Sequence, residues 1–142
     1  MKNYKETTKI KNIYNNFDYK DPFLLEDQLT EEEVLIRNTA RNFAQKELLP
    51  QIIEANRKEI YDKHLFKKLG KIGLLGAQIK GYGCSGSSAV SYGLIAKEIE
   101  RVDSAYRSCF SVQSSLVMQP IYDYGSEDQK NRWLPELANG SL

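Results

Sequence analysis

The feature that most constrains the fold of this chain is residues 108–122, a stretch without a single charged side chain. Asp103 or Ser104 stands just before it as a candidate helix cap, and Gly125 follows it as a candidate stop. A helix that lacks a charged face is usually buried on most of its sides. The stretch therefore predicts the central helix of a helical bundle.

The flanking segments carry the start and stop signals of further helices, with apolar side chains at helical spacing between them. No segment of four or more residues alternates cleanly enough to predict a strand. We therefore expect an all-α domain over residues 17–142, preceded by a mobile tail at residues 1–16, which are rich in Lys, Asn and Tyr. The predicted starts are Thr30 with Glu33, Asp62, Ser87 or Ser88, and Ser126 with Gln129, and the predicted breaks are Pro50, Gly70, Gly73, Gly76 and Gly140.

Composition excludes several classes of function. The chain has 142 residues, 20 basic and 19 acidic, and a net charge of +1, which argues against a nucleic-acid or anionic-membrane partner. Cys84, Cys109 and the single His64 are too few for a structural zinc site, so two free thiols in a reducing, intracellular compartment are expected. No apolar run approaches the ~20 residues that span a bilayer.

Residues 81–86, with the sequence GYGCSG, match the glycine pattern G-x-G-x-x-G of dinucleotide-binding loops. That pattern holds a pyrophosphate only between a strand and a helix, with a second strand beyond. The preceding residues 74–79 are short and broken by Gly76, and no convincing strand follows. A tight glycine turn between two helices is therefore the favoured interpretation, and a nucleotide loop is the alternative.

Arg107, Ser108 and Ser111 form the other candidate site, at the mouth of the uncharged stretch. Arg107 and Ser111 are four residues apart and share one face of a helix. A guanidinium with two hydroxyls could hold a small carboxylate. The pattern alone favours a plainer interpretation, in which Arg107 pairs with Asp103 or Glu100 and trims the helix end.

Several stretches together resemble the acyl-CoA dehydrogenase family, and in particular its glutaryl-CoA branch. They are residues 17–22 (FDYKDP), 79–84 (IKGYGC), 98–108 (EIERVDSAYRS), 111–118 (SVQSSLVM) and 124–130 (YGSEDQK). The resemblance runs over residues 17–142 and is most specific in the Tyr-Arg-Ser stretch. It implies the N-terminal up-and-down helical bundle of that fold, with the middle β domain and the C-terminal helical domain outside these residues.

The resemblance also implies a function. In glutaryl-CoA dehydrogenases an arginine and serines on this helix hold the distal carboxylate of the substrate, and they correspond to Arg107, Ser108 and Ser111. The implied enzyme is an FAD-dependent oxidoreductase, commonly a homotetramer, that oxidises and decarboxylates glutaryl-CoA to crotonyl-CoA and passes electrons to an electron-transfer flavoprotein. The expected compartment is bacterial cytoplasm or mitochondrial matrix. The catalytic glutamate and most of the flavin site lie in the other domains, so these 142 residues alone are expected to be inactive and to bind no metal.

Two other functions remain open from the sequence. The chain could be a stand-alone, non-catalytic helical module that binds a partner through the face of the 108–122 helix. It could also come from an acyl-CoA dehydrogenase with another chain-length preference, although a buried charge at Arg107 facing a plain acyl tail would be costly. Cys109 and Phe110 stand where smaller or more flexible apolar residues are expected, which predicts a slightly altered acyl pocket.

Overall fold

The computed structural model describes residues 18–142, so the predicted tail at residues 1–16 lies outside the described part. The chain divides into two units, Met1–Glu31 and Glu32–Leu142. In the first unit the carboxylates of Asp18 and Asp21 accept backbone N–H groups of nearby residues, and a 3-10 turn covers Glu26–Gln28. The second unit carries the bundle and the candidate site.

The all-α prediction is confirmed, with one short hairpin as the only β structure within residues 18–142. The hairpin pairs two-residue antiparallel strands, β1 (Lys80–Gly81) and β2 (Cys84–Ser85). The α-helices in this part of the chain are α1 (Glu31–Phe43), α2 (Ile52–Lys58), α3 (Leu65–Lys71), α4 (Ala89–Glu100), α5 (Ser104–Ser111), α6 (Gln119–Tyr124) and α7 (Glu127–Asn139).

Helix ends lie mostly where the sequence predicts them, because each cap satisfies backbone groups that the helix leaves free. The side chains of Ser88 and Asp103 accept N–H groups in the first turns of α4 and α5. Ser126 and Gln129 form the predicted capping box at the start of α7. Gly140 ends α7 in the left-handed conformation, with a φ of 73°.

Two predicted boundaries differ in detail. Asp62 does not cap α3 directly; its carboxylate accepts the N–H of His64, and the helix begins at Leu65. The predicted break at Pro50 takes the form of a 3-10 turn at Leu49–Gln51, after which the helical run continues into α2. Proline is tolerated there because the 3-10 turn places it at a first-turn position, where no helical N–H is needed.

The bundle has one apolar core, to which every helix from α1 onward except α2 and α6 contributes fully buried side chains. Leu65, Leu69 and Leu134 are completely buried where α3 packs on α7. Burying such side chains contributes about 1.5–3 kcal/mol each. The buried apolar residues are Ala40, Phe43, Ala44, Leu48, Leu65, Leu69, Leu74, Leu75, Ala77, Ile79, Ile95, Ile99, Tyr106, Phe110, Met118, Leu134, Leu137 and Ala138.

The uncharged stretch is buried or half-buried along most of its surface, as expected, and is exposed along one stripe. The helix changes geometry along its length, from α5 through a π-helical segment at Val112–Met118 to α6. Phe110 and Met118 on its inner side are fully buried. On its outer side Val112 is 47% exposed and Leu116 is 70% exposed. Lack of charge here therefore marks an exposed apolar stripe as well as a core face.

The close approach of α3 to α7 depends on Gly70, and we expect Gly70→Ala to lower the free energy of unfolding by about 1–3 kcal/mol. A Cβ on Gly70 would overlap the backbone carbonyl of Asn139. Gly93→Ala on α4 is the matched control, because a Cβ there meets no atom within 4 Å. That change should raise stability by about 0.5–1 kcal/mol through helix propensity. Urea unfolding followed by circular dichroism measures both, and equal effects of the two substitutions would refute the packing argument.

Candidate functional site

Arg107 connects the end of α4 to the first half of the uncharged helix. Its Nε donates a hydrogen bond to Oε2 of Glu100 at 2.6 Å, and Nη1 donates to Oγ of Ser111 at 3.1 Å. The Arg107 side chain is 37% exposed and that of Glu100 is 47% exposed. The plainer interpretation, in which Arg107 pairs with Glu100, is therefore confirmed, and the guanidinium also bonds to the hydroxyl of Ser111.

The guanidinium keeps one edge available for another acceptor. Arginine has five N–H donors in a planar fork. Within residues 18–142, the Nη2 group of Arg107 donates to no protein acceptor, and Nη1 has used one of its two hydrogens. Glu100 accepts from Nε, so the ion pair orients the fork while lowering the net positive charge of the site.

The two serines play different parts in this arrangement. Ser111 accepts from Arg107 and donates its own hydroxyl hydrogen to the backbone carbonyl of Ser108 at 3.2 Å. The Ser108 side chain is half-buried, and its hydroxyl bonds to no other group in the described part of the chain. Asp103, the other predicted partner of Arg107, instead caps α5. The structure therefore joins Arg107 to Ser111, whereas Ser108 takes part only through its backbone carbonyl.

The glycine loop at residues 81–86 is a hairpin turn, as the favoured interpretation predicts. Tyr82 and Gly83 both have positive φ, 53° and 81°, which is the geometry of a tight two-residue hairpin turn. The N–H of Ser87 donates to the carbonyl of Ala77, and the first turn of α4 is capped by Ser88. Because this loop joins two antiparallel strands of a hairpin, it lacks the strand–loop–helix arrangement that places a pyrophosphate at a helix N-terminus.

Both cysteines are half-buried free thiols. Burial raises the pKa of the Cys84 thiol to about 11, which keeps it protonated and unreactive at neutral pH. Cys109 lies beside Tyr61, where burial and then the hydrogen bond with Cys109 raise the pKa of the tyrosine hydroxyl. Phe110 is fully buried and stacks on Tyr92, with ring centroids 5.2 Å apart. Phe110 thus packs in the core of this domain and Cys109 is half-buried, and an altered acyl pocket at these two positions stays a prediction.

Sequence reasoning missed the buried carboxylate Glu98 on α4. Its side chain is completely buried and accepts two hydrogen bonds from Arg41 of α1, at 3.2 and 3.0 Å. Arg101 makes a longer contact at 3.5 Å. A signal was present: Glu98 is three residues after Ile95 and four before Val102, so it lies on the apolar stripe of α4. The pair fixes the helix that also carries Glu100.

Other kinds of site are not found in the described part of the chain. Within residues 18–142, no three His, Cys, Asp or Glu side chains lie close enough together to hold a metal ion. Over the same residues, no helix has the length and apolar character that a membrane crossing requires.

These features define a helical domain with one arginine–serine face, and comparison with known proteins gives its family. The sequence model "Acyl-CoA dehydrogenase, N-terminal domain" matches residues 30–141. The chain belongs to the acyl-CoA dehydrogenase family, of which it carries the N-terminal helical domain.

The chain is similar to both curated proteins and solved structures of this family. A glutaryl-CoA dehydrogenase structure from Mycobacterium smegmatis, in complex with FADH2, is 44% identical, with a TM-score of 0.81 over 84% of this chain and 31% of that one. An acyl-CoA dehydrogenase of Bacillus subtilis (strain 168) is 37% identical over 79% of this chain and 30% of its own length. The mitochondrial short-chain specific enzyme of Mus musculus is 32% identical over 80% of this chain and 28% of its length. The chain thus spans about 30% of the length of the curated relatives it matches.

Proposed function

We propose that this domain forms the carboxylate-recognising wall of the acyl pocket in an FAD-dependent acyl-CoA dehydrogenase that acts on glutaryl-CoA. The observation that carries the proposal is the Arg107 guanidinium, held at Nε by Glu100 and at Nη1 by Ser111, with Nη2 unengaged within residues 18–142. A distal carboxylate of the substrate would accept from that edge, and the Ser108 hydroxyl is a second donor nearby. The likeness to a glutaryl-CoA dehydrogenase at 44% identity supports this substrate.

The flavin would be held mainly by residues outside this domain. Its chemistry is to accept the hydride that leaves the acyl chain. The glycine loop at residues 81–86 joins two antiparallel strands, which is not the strand–loop–helix arrangement that holds the pyrophosphate of a dinucleotide cofactor. The likeness to a structure solved with FADH2 supports FAD as the cofactor. Electron-transfer flavoprotein as acceptor, a homotetrameric assembly and decarboxylation to crotonyl-CoA are part of the same proposal.

A preference for short, uncharged acyl chains is the competing substrate assignment, because a short-chain specific enzyme is also similar to this chain. In such an enzyme the polar edge of Arg107 would face methylene groups with no acceptor to receive its hydrogens. Ion pairing with Glu100 offsets part of the cost of that charge but leaves the Nη2 donors unsatisfied. The unsatisfied donors therefore favour a substrate that carries a carboxylate.

The test is the turnover of glutaryl-CoA against butyryl-CoA by the full-length polypeptide that contains this domain, purified with its flavin. We expect kcat/KM for glutaryl-CoA to be the higher of the two, because only that substrate offers an acceptor to Arg107. Higher kcat/KM for butyryl-CoA would contradict the glutaryl assignment while leaving the family membership intact.

A stand-alone interaction module is the second candidate function, and the exposed stripe of Val112 and Leu116 favours it. Such apolar surface fits contact with further protein, in the same polypeptide or in another. The intact mass of the polypeptide in its source cell separates the two functions. A mass of roughly three times 16.3 kDa supports the flavoenzyme, as the length of the relatives indicates, whereas a mass near 16.3 kDa supports the module.

A further inference from the structure

The helix changes from α to π geometry immediately after Ser111, at Val112–Met118. A π-helical turn bonds residue i to residue i+5 and is wider than an α-helical turn, and such turns occur frequently at functional sites. Three consecutive polar side chains of this segment bond to three other parts of the chain. Gln113 donates to the Leu137 carbonyl of α7 at 3.4 Å, Ser114 accepts the N–H of Gly76 at 3.1 Å, and Ser115 bonds to the Tyr92 hydroxyl of α4 at 2.7 Å.

Tyr92 contacts the uncharged helix both before and after Ser111 in the sequence. Its ring stacks on that of Phe110, with an interplanar angle of 30°, one residue before Ser111. Its hydroxyl bonds to Ser115, one turn after Ser111. Gln113 and Ser114 are also buried, and their hydrogen bonds hold the same segment against α7 and Gly76. The two contacts of Tyr92 therefore fix the rotation of the helix about its axis at the position of Ser111.

We propose that Tyr92 and Ser115 are a positioning pair that sets the orientation of the Ser111 hydroxyl beside Arg107, and thereby the discrimination between glutaryl and unsubstituted acyl chains. The inference rests on the proposed function and deepens it. Neither side chain touches the substrate carboxylate. Their effect reaches the substrate through Ser111, which accepts the Nη1 hydrogen of Arg107 and holds the guanidinium against Glu100. Loss of the 2.7 Å bond lets the start of the π-helical segment rotate, and a small displacement of a bidentate donor weakens the recognition of a carboxylate.

The test uses Tyr92→Phe in the full-length flavoenzyme and measures the ratio of kcat/KM for glutaryl-CoA to kcat/KM for butyryl-CoA. The substitution keeps the ring stacked on Phe110 and removes only the hydroxyl. We expect the ratio to fall about fivefold, the effect of one neutral hydrogen bond, mainly through a higher KM for glutaryl-CoA. A ratio is insensitive to the fraction of folded enzyme, so a merely structural role of Tyr92 would not move it.

Tyr82→Phe is the matched control, since it also removes one tyrosine hydroxyl bond, from Glu127 at 2.9 Å, at a hairpin away from Arg107. It should leave the ratio unchanged. Ser115→Ala should reproduce Tyr92→Phe, the double variant should be no worse than either single one, and Ser115→Thr should restore the ratio because it keeps a hydroxyl.

The outcomes separate this inference from the proposed function. If Arg107→Ala lowers the ratio and Tyr92→Phe does not, or if Tyr92→Phe lowers kcat/KM for both substrates equally, the positioning role is refuted and the proposed function stands. If Arg107→Ala leaves the ratio unchanged, the proposed function fails and the positioning role fails with it.

Discussion

Replacement of Arg107 by alanine is expected to lower kcat/KM for glutaryl-CoA at least about thirtyfold in the full-length enzyme. Removing one partner of a hydrogen-bonded charge pair at a covered interface costs roughly 2–5 kcal/mol, and each 1.4 kcal/mol is tenfold. The lower end of that range applies here, because Arg107 is 37% exposed in this domain and also shares its charge with Glu100. Steady-state kinetics with glutaryl-CoA and butyryl-CoA measure the change, which should be confined to the substrate that carries a carboxylate.

Two further variants test whether the loss of activity comes from carboxylate recognition by Arg107. Arg107→Lys keeps the charge but loses the planar fork that contacts Glu100 and Ser111 together, so we expect an activity between those of wild type and Arg107→Ala. Arg132→Ala is the matched control, since Arg132 stacks on Trp133 on the exposed side of α7 and should not affect kcat/KM. Equal losses for glutaryl-CoA and butyryl-CoA in Arg107→Ala would show that the arginine supports the fold and does not recognise the carboxylate.

The second large effect is on stability, where Arg41→Met is expected to lower the free energy of unfolding by about 3 kcal/mol. Arg41 donates two hydrogen bonds to Glu98, whose side chain is completely buried. Removing the arginine leaves a buried carboxylate without its main partner, and breaking such pairs costs roughly 3–5 kcal/mol. Methionine retains most of the apolar volume of the arginine side chain. The decrease in the free energy of unfolding therefore measures the loss of the charge and its hydrogen bonds. Urea unfolding of the 142-residue chain measures it.

Arg101→Met is the control for that measurement, because Arg101 contacts the same carboxylate from a more exposed position at 3.5 Å. A surface pair of this kind contributes less than about 1 kcal/mol. If the two substitutions lower the free energy of unfolding equally, the two hydrogen bonds of Arg41 contribute no more to stability than the longer contact of Arg101.

The parts of the fold that sequence could predict are those set by local chemistry. Ser88, Asp103 and Ser126 cap helices because a side-chain oxygen satisfies a free N–H within three residues of its own position. Gly140 ends α7 because the left-handed conformation favours glycine. Such signals need no knowledge of the rest of the chain, and they are sufficient for the all-α class and for most boundaries.

The parts that sequence could not predict depend on which neighbour a face meets. The uncharged stretch indicates apolar surface on all sides, but periodicity does not tell a core face from the exposed stripe of Val112 and Leu116. In the π-helical segment, Gln113, Ser114 and Ser115 bond to partners in three distant segments of the chain, which no local pattern specifies. Glu98 pairs with Arg41 across 57 residues of sequence, a distance that no local pattern spans.

In the candidate site, the sequence predicted one partner of Arg107 and left the other undecided. Spacing on the helix predicted that Arg107 and Ser111 are neighbours, and their 3.1 Å hydrogen bond confirms it. Spacing could not decide between Glu100 and Asp103 as the acidic partner, because that choice depends on how the chain turns between α4 and α5. The Asp103 carboxylate caps α5, and Arg107 pairs with Glu100 instead. The role of this face in recognising a substrate carboxylate stays a prediction.

The most direct test of that role is a structure of the full-length enzyme with glutaryl-CoA bound, in which the distance from the distal carboxylate to Arg107 is measured. The proposal predicts a carboxylate oxygen within about 3.2 Å of the Arg107 fork, with Glu100 still at Nε and the hydroxyl of Ser108 or Ser111 in hydrogen-bonding distance. A carboxylate held by other residues, more than about 4 Å from the guanidinium, would contradict the assignment of this helix face as the recognition wall.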